Sequence, residues 1–206
     1  MTAERRKHWD GVYRRKASTE VSWYQEVPDR SLDLIGAAGL LLNDPIIDIG
    51  GGASTLVDHL LDAGYGDLTV LDLTETALDH SRKRLGERDD SVSWIVSDVV
   101  HFEPQRLYRL WHDRAALHFL TYATDRERYV DVLRTALAPG GYAVIATFGP
   151  AGPLKCSGLD IRRYDVGMLQ ELLGAEFELR SHELADHRTP MGATQQFLYS
   201  CWLRRG

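Results

Sequence analysis

The residues in this chain with the plainest chemical potential are a glycine cluster and three aspartates. Asp48-Ile49-Gly50-Gly51-Gly52 follows a short apolar run and precedes a segment with helical spacing. Glycines at such a turn allow positive φ and let backbone approach a ligand closely. Asp72 closes the next apolar run, and Asp98 closes the third within Ser97-Asp98-Val99. In open α/β sheets, ligands bind beyond the carboxyl ends of the strands, where strand order reverses. An acid at the second strand end can accept two hydrogen bonds from a ribose diol. An acid at the third can accept from an adenine amino group, while the next backbone N–H meets a ring nitrogen. A lone aspartate after a strand serves as readily as a helix cap or a solvated turn. Three at successive strand ends, with glycines at the first, favour a nucleotide-type cofactor.

Two common nucleotide loops do not fit. A dinucleotide fingerprint needs a third glycine where this chain has Thr55, and a phosphate-binding loop needs a lysine, absent between Asp48 and Asp79. A second group, His112-Asp113-Arg114 with His118, follows the fourth apolar run. Arg114 and His118 are spaced i, i+4, which would put them on one helix face. They could orient an acceptor or remove its proton; the plainer reading is a surface ion pair and a core histidine. The glycine- and proline-rich segment Gly149–Gly158, Arg162-Arg163-Tyr164 and His187-Arg188 offer a small cationic wall for an anionic or polar acceptor, or else solvated loops. Cys156 and Cys201 form no C-x-x-C pair, and no cluster has metal-ligand spacing, so no metal is expected.

These residues need a scaffold, and the hydrophobic pattern predicts one. Strands are expected at Ile46–Ile49, Leu68–Asp72, Val92–Val96, Tyr108–His112 and Tyr142–Phe148. Helices are expected over Ser31–Leu42, Ser54–Ala63, Glu75–Leu85 with Thr74 as N-cap, and Asp125–Leu137, ending at Pro139-Gly140-Gly141. The tail reads as a helix near Asp165–Leu173, then strands near Glu176–Leu184 and Thr194–Leu203, with Ala185–Gly192 as a long hairpin loop. Alternating units of this kind imply an α/β protein with a mostly parallel sheet, helices on both faces and an antiparallel C-terminal strand.

The chain has 206 residues, with 24 basic and 30 acidic side chains and a net charge of −6. That length suits a single domain. It divides into a helical, aromatic-rich lead-in over residues 1–44, a core carrying the glycine loop over 45–148, and an antiparallel hairpin region over 149–206; the resemblance described below makes the first a lid and the last the acceptor side. The acidic balance argues against a nucleic-acid partner, which needs a basic face. The charged N-terminus is not followed by an apolar stretch, and no run approaches 18 apolar residues. A cytoplasmic protein without a membrane partner is expected; oligomeric state is not encoded in these features.

In order and register, the motifs resemble those of the class I S-adenosylmethionine (SAM)-dependent methyltransferases. Asp48-Ile49-Gly50-Gly51-Gly52 resembles the family's D/E-x-G-x-G loop, with Ser54 where many members carry another glycine. Val70-Leu71-Asp72 resembles the second motif, Ser97-Asp98-Val99 the third, Leu110-Trp111-His112-Asp113-Arg114 the fourth, and Leu137-Ala138-Pro139-Gly140-Gly141-Tyr142 the late L-x-P-G-G turn. The lead-in His8-Trp9-Asp10-x-x-Tyr13 with Ser22-Trp23-Tyr24 resembles segments that fold over the cofactor in small members.

The resemblance implies a Rossmann-like, doubly wound seven-stranded sheet of order 3-2-1-4-5-7-6, with SAM as cofactor. SAM has no phosphate and carries a cationic sulfonium, in keeping with the acidic neighbourhood. The implied cofactor set is Trp9, Tyr13, Trp23, Asp48, Gly50, Gly51, Gly52, Asp72, Leu73, Ser97, Asp98, Val99, His112 and Asp113. Arg114 and His118 stand as the candidates on the acceptor side. The expected reaction is direct in-line methyl transfer to a small-molecule acceptor, which needs a base only if the acceptor must lose a proton. A protein-lysine methyltransferase and a non-catalytic SAM-binding domain are the alternatives; an NAD-dependent oxidoreductase is disfavoured by the loop and the L-x-P-G-G turn.

Overall fold

A computed structural model describes residues 2–206. Five parallel strands form the centre: β1 (Ile46–Ile49), β2 (Leu68–Asp72), β3 (Val92–Val96), β4 (Tyr108–Arg114) and β5 (Leu137–Phe148). A short hairpin follows, β6 (Lys155–Cys156) and β7 (Leu159–Asp160), then the long antiparallel pair β8 (Phe177–Arg188) and β9 (Thr194–Arg204). The sheet order is β3-β2-β1-β4-β5-β9-β8. With the small hairpin set aside, this is the expected 3-2-1-4-5-7-6 order. The reversal between β1 and β4 opens the crevice where ligands bind in such sheets.

Every residue of β1 and β2 is buried, as a parallel sheet covered on both faces requires. Six helices supply the cover: α1 (Thr2–Arg15), α2 (Asp29–Ala37), α3 (Leu56–Asp62), α4 (Glu75–Leu85), α5 (Ala123–Ala136) and α6 (Val166–Leu173). One core joins Trp111 and Trp202 to Tyr129 and Leu133 of α5 and Leu169 and Leu173 of α6. The other joins Ile46, Leu68 and Leu110 to Ile35 of α2, Leu56 and Leu60 of α3 and Leu78 of α4. Thr74 caps α4 as expected, accepting the Ala77 N–H at 3.2 Å. Among the described residues, no helix is long and apolar enough to cross a membrane.

The lead-in folds as helix α1 and docks on α4. The Thr76 hydroxyl donates to Asp10 at 2.9 Å, and the His80 ring meets the Tyr13 carbonyl at 3.0 Å. That docking carries one edge of α1 across the carboxyl ends of β2 and β3.

Several boundaries differ from expectation. α2 stops at Ala37, because Gly39 takes φ 65° and turns the chain early. The Pro139-Gly140-Gly141 turn does not precede β5 but kinks it. Leu137 already pairs with Tyr108, and the ladder slips before Leu110 meets Tyr142. A side chain at Gly141 would lie 3.0 Å from the Arg109 carbonyl, so glycine permits this close crossing. β8 runs on to Arg188, and the long loop expected at Ala185–Gly192 contracts to a tight turn in which Thr189 N–H donates to the Ala193 carbonyl at 2.8 Å.

Candidate active site

The loop after β1 is shaped by two carboxylates beneath it. Gly50 takes φ 68°, and its N–H donates to the Leu71 carbonyl at 2.7 Å. The Asp48 carboxylate folds back under the loop, so a Cβ at Gly51 would sit 2.2 Å from its Oδ2. Asp72 accepts from Gly52 N–H at 3.1 Å and Thr74 N–H at 3.0 Å. A Cβ at Gly52 would sit 2.6 Å from its Oδ2 and 2.5 Å from the Ala77 Cβ. The middle and last glycines therefore make room for acids, while Gly50 supplies the positive φ.

Burial pushes the Asp72 carboxyl up to about 6, against the pull of its N–H donors. At neutral pH it remains mostly ionised and can accept from a diol. Asp98 accepts from Val100 N–H at 3.3 Å and from the Arg5 guanidinium at 3.2 Å. Arg5 also meets Asp125 at 3.3 Å. Val99 opens the 3-10 turn Val99–His101, so its N–H has no acceptor within that turn.

A cavity joins these groups. Gly50, Asp72, Leu73, Ser97, Asp98 and Val99 line its strand-end side. Arg5, Trp9, Tyr13 and Trp23 roof it; Trp9 meets Trp23 edge-on at 5.5 Å and Phe119 at 5.0 Å. Arg114, Phe119, Phe148, Cys156 and Phe197 form the far wall. A smaller adjoining cavity is lined by Asp48, Gly50, Gly51, Thr55 and His112, and shares Gly50, Trp23 and Arg114 with the first.

Three expectations are corrected by these positions. Asp113 lines neither cavity: its carboxylate faces α5 and accepts from Ala116 N–H at 2.8 Å, Leu117 N–H at 3.1 Å and the Tyr129 hydroxyl at 2.7 Å. Burial raises its carboxyl to about 6. His118 also lies outside both cavities. It stacks on Phe148 at 4.4 Å, Nδ1 accepts the Phe148 N–H at 3.3 Å, and burial lowers its pKa to about 3. It is a neutral core histidine, not a placed base. Nor does it share a helix face with Arg114: Arg114 ends β4, Ala115 takes φ 79°, and His118 sits in a separate 3-10 turn.

His112 is placed beside the cofactor loop with both ring nitrogens engaged. Its Nδ1–H donates to Asp48 Oδ1 at 2.6 Å, and Nε2 lies 2.9 Å from the Ser31 hydroxyl. Arg162, Arg163, Tyr164, His187 and Arg188 line neither cavity, so the cationic wall expected from them is not built; Arg114 is the cation of the far wall. Arg5 escaped the sequence reading, although Arg5, Trp9 and Tyr13 form an i, i+4, i+8 stripe that could have revealed it. Phe148 and Phe197 are register partners on β5 and β9, a contact invisible until the strand pairing is known.

The donor set fits SAM. Asp48 Oδ2 is buried and unpartnered, suited to an ammonium at the methionine end. Asp72 suits a ribose diol, and Asp98 with the Val99 N–H suits an adenine edge. The aromatic roof offers π faces to a cationic sulfonium.

Residues 46–141 match the family described as "Methyltransferase domain". Nodulation protein S of Rhizobium tropici is 35% identical over 43% of this chain and 36% of its own. The eEF1A lysine and N-terminal methyltransferase of Danio rerio is 29% identical over 72% of this chain and 22% of its own. The chain thus spans about a third and a fifth of the length of these relatives. The N-methyltransferase NodS from Bradyrhizobium japonicum, solved with S-adenosyl-L-homocysteine, superposes with a TM-score of 0.73 at 17% identity, covering 95% of this chain and 98% of that one. Residues 46–141, just under half of the chain, are thus similar to a methyltransferase domain, and the strand order, the glycine loop and the strand-end acids agree with that similarity.

Proposed function

We propose that this protein transfers a methyl group from SAM to a small-molecule acceptor by in-line displacement. The observation that carries this reading is the roofed cavity. It runs from the strand-end acids to an aromatic wall, and α1 closes over it with Trp9 and Tyr13. A protein side chain would need an open groove.

When bound, SAM supplies an electrophilic methyl group on a sulfonium. The protein's part is to hold and shield. Asp72 would accept from the ribose hydroxyls, and Asp98 and the Val99 N–H would meet the adenine edge. Asp48 Oδ2 would receive the ammonium, its carboxylate held in place by His112. Trp9, Tyr13 and Trp23 exclude water, which favours the in-line geometry and suppresses hydrolysis.

Proton removal is not evident on the acceptor wall. Its titratable groups are Arg114, which stays charged, and Cys156, whose thiol is pushed up by burial. The Tyr13 hydroxyl is pushed up by burial as well. The acceptor should therefore bring its own lone pair, as an unprotonated amine or an already ionised oxygen or sulfur does.

Incubation with methyl-labelled SAM in a metabolite extract and, separately, in a protein extract tests the proposal. Label in a small molecule is the expected result. Label confined to protein would replace it with the lysine-methyltransferase alternative, and no transfer in either extract would favour a non-catalytic SAM-binding domain.

A further inference from the structure

The far wall holds a cation without a counter-ion. Arg114 Nε donates to the Tyr199 hydroxyl at 3.0 Å and Nη1 to the Trp23 carbonyl at 2.9 Å. Nη2 is shut away from solvent with no partner, and Arg114 forms no ion pair among the described residues. Asp48 borders the smaller cavity with it but forms no ion pair to it. The guanidinium lies 4.7 Å over the Phe197 ring, and its charge adds to the burial that holds His118 and His187 unprotonated. A guanidinium cannot shed its charge by deprotonating, and this partly buried one has no carboxylate partner among the described residues. Three of its five N–H groups remain, two of them on Nη2, and each can donate a charge-assisted hydrogen bond to a carboxylate oxygen.

The direction of the side chain says which half of the cavity it serves. Arg114 pairs with Ala146 on β5, and Ala146 pairs with Tyr199 on β9. The guanidinium thus reaches across β5 to β9, away from β1, β2 and β3, whose ends carry Asp48, Asp72 and Asp98. Around it stand Phe119, Phe148, Phe197 and Trp23, with Phe148 and Phe197 4.7 Å apart. Flat rings in such a slot gain from face and edge contacts.

We propose that the acceptor is a planar aromatic molecule bearing a carboxylate, and that Arg114 binds that carboxylate through Nη2. This rests on the methyltransferase reading above. The carboxylate lies at the far wall, and the methyl-accepting atom is a different group of the same molecule, toward Gly50 and Trp9. Arg114 also borders the smaller cavity, so the cofactor's own carboxylate is the competing source of the anion.

Benzoate and its neutral isostere benzamide serve as probes, followed by quenching of the cavity tryptophans, with and without S-adenosylhomocysteine. Benzoate should bind roughly tenfold or more tightly than benzamide, the effect of a charge-assisted hydrogen bond. Arg114→Met should erase that preference, and Arg114→Lys, which keeps a point charge, should retain part of it. S-adenosylhomocysteine should bind the Met variant within about twofold of the parent, where a charge-assisted bond lost would cost tenfold.

Equal affinity for benzoate and benzamide in the parent protein, a comparison that needs no variant, would overturn the proposal. So would a Met variant that loses S-adenosylhomocysteine but keeps 5′-methylthioadenosine, which lacks the amino-acid end; Arg114 would then serve the cofactor. If the parent fails to bind S-adenosylhomocysteine at all, the methyltransferase reading falls. The benzoate preference measured without it still decides the anion site.

Discussion

Replacing Gly52 with alanine tests the construction of the cofactor loop. The added Cβ would lie 2.5 Å from the Ala77 Cβ and 2.6 Å from Asp72 Oδ2, inside any normal contact. Neither neighbour yields easily. Ala77 is fully buried in the first turn of α4, and Asp72 is tied by two backbone N–H groups. The Gly52 peptide is also held on its other side, since its carbonyl accepts from the Ser81 hydroxyl at 2.6 Å. The loop or α4 must shift by about 1 Å to reach a normal carbon–carbon separation. Overpacking of this kind costs roughly 1–3 kcal/mol, or about 2–12 °C in Tm for a chain of this length. Displacing the Asp72 carboxylate should weaken S-adenosylhomocysteine binding by roughly 10- to 150-fold, the equivalent of a hydrogen bond to a charged group. Scanning calorimetry and titration calorimetry read the two effects. Gly36→Ala is the control, because a Cβ there meets nothing within 4 Å. A Gly52→Ala protein with parental Tm and parental affinity would refute the steric account of the loop.

Cofactor affinity should also depend on pH. Asp72 titrates at about 6 in the free protein, and a ribose diol donates to its ionised form. Affinity for S-adenosylhomocysteine should therefore fall as pH drops through 6, and Asp72→Asn should flatten that profile; a parent profile flat from about pH 5 to 8 would exclude Asp72 from the ribose site. His118→Leu strands the Phe148 N–H and should lower stability by about 1–3 kcal/mol in denaturant titration, while cofactor affinity stays parental. In the parent, His118 gains its proton near 6.5 when unfolded but only near 3 when folded, so its contribution to stability is present above 6.5 and is lost as pH falls from there toward 3. The Leu variant should lack that component, and an unchanged acid limb would contradict the assignment. Tyr129→Phe removes the donor to Asp113 and the acceptor of the Trp111 indole, and should cost about 1–3 kcal/mol of stability without moving cofactor affinity; a large affinity loss would return Asp113 to the site.

The strand-end acids were legible because each sits at a fixed place in a strand–turn–helix unit. The same periodicity that predicted β1, β2 and β3 therefore also placed Asp48, Asp72 and Asp98. The acceptor wall was not legible. It comes from β4, β5, β9 and the hairpin of β6 and β7, and its members meet only through pairings such as Phe148 with Phe197. Asp113 was misread because alternation along β4 sends it to the α5 face, opposite His112, and the fourth-motif resemblance does not encode face. Spacing left His118 open between a core histidine and an acceptor-side group, because i, i+4 implies a shared face only if the segment is helical, and Ala115 breaks the chain before any helix forms. Arg114 stood out in the sequence, but its unpaired Nη2 depends on Tyr199 and Trp23, which lie 85 and 91 positions away in sequence.

Titration calorimetry with SAM and, in a separate experiment, with NAD tests the central claim most directly. Saturable one-site binding of SAM, weakened in the Asp72→Asn protein, is the expected result, with no comparable binding of NAD. Tight binding of NAD with none of SAM would contradict it.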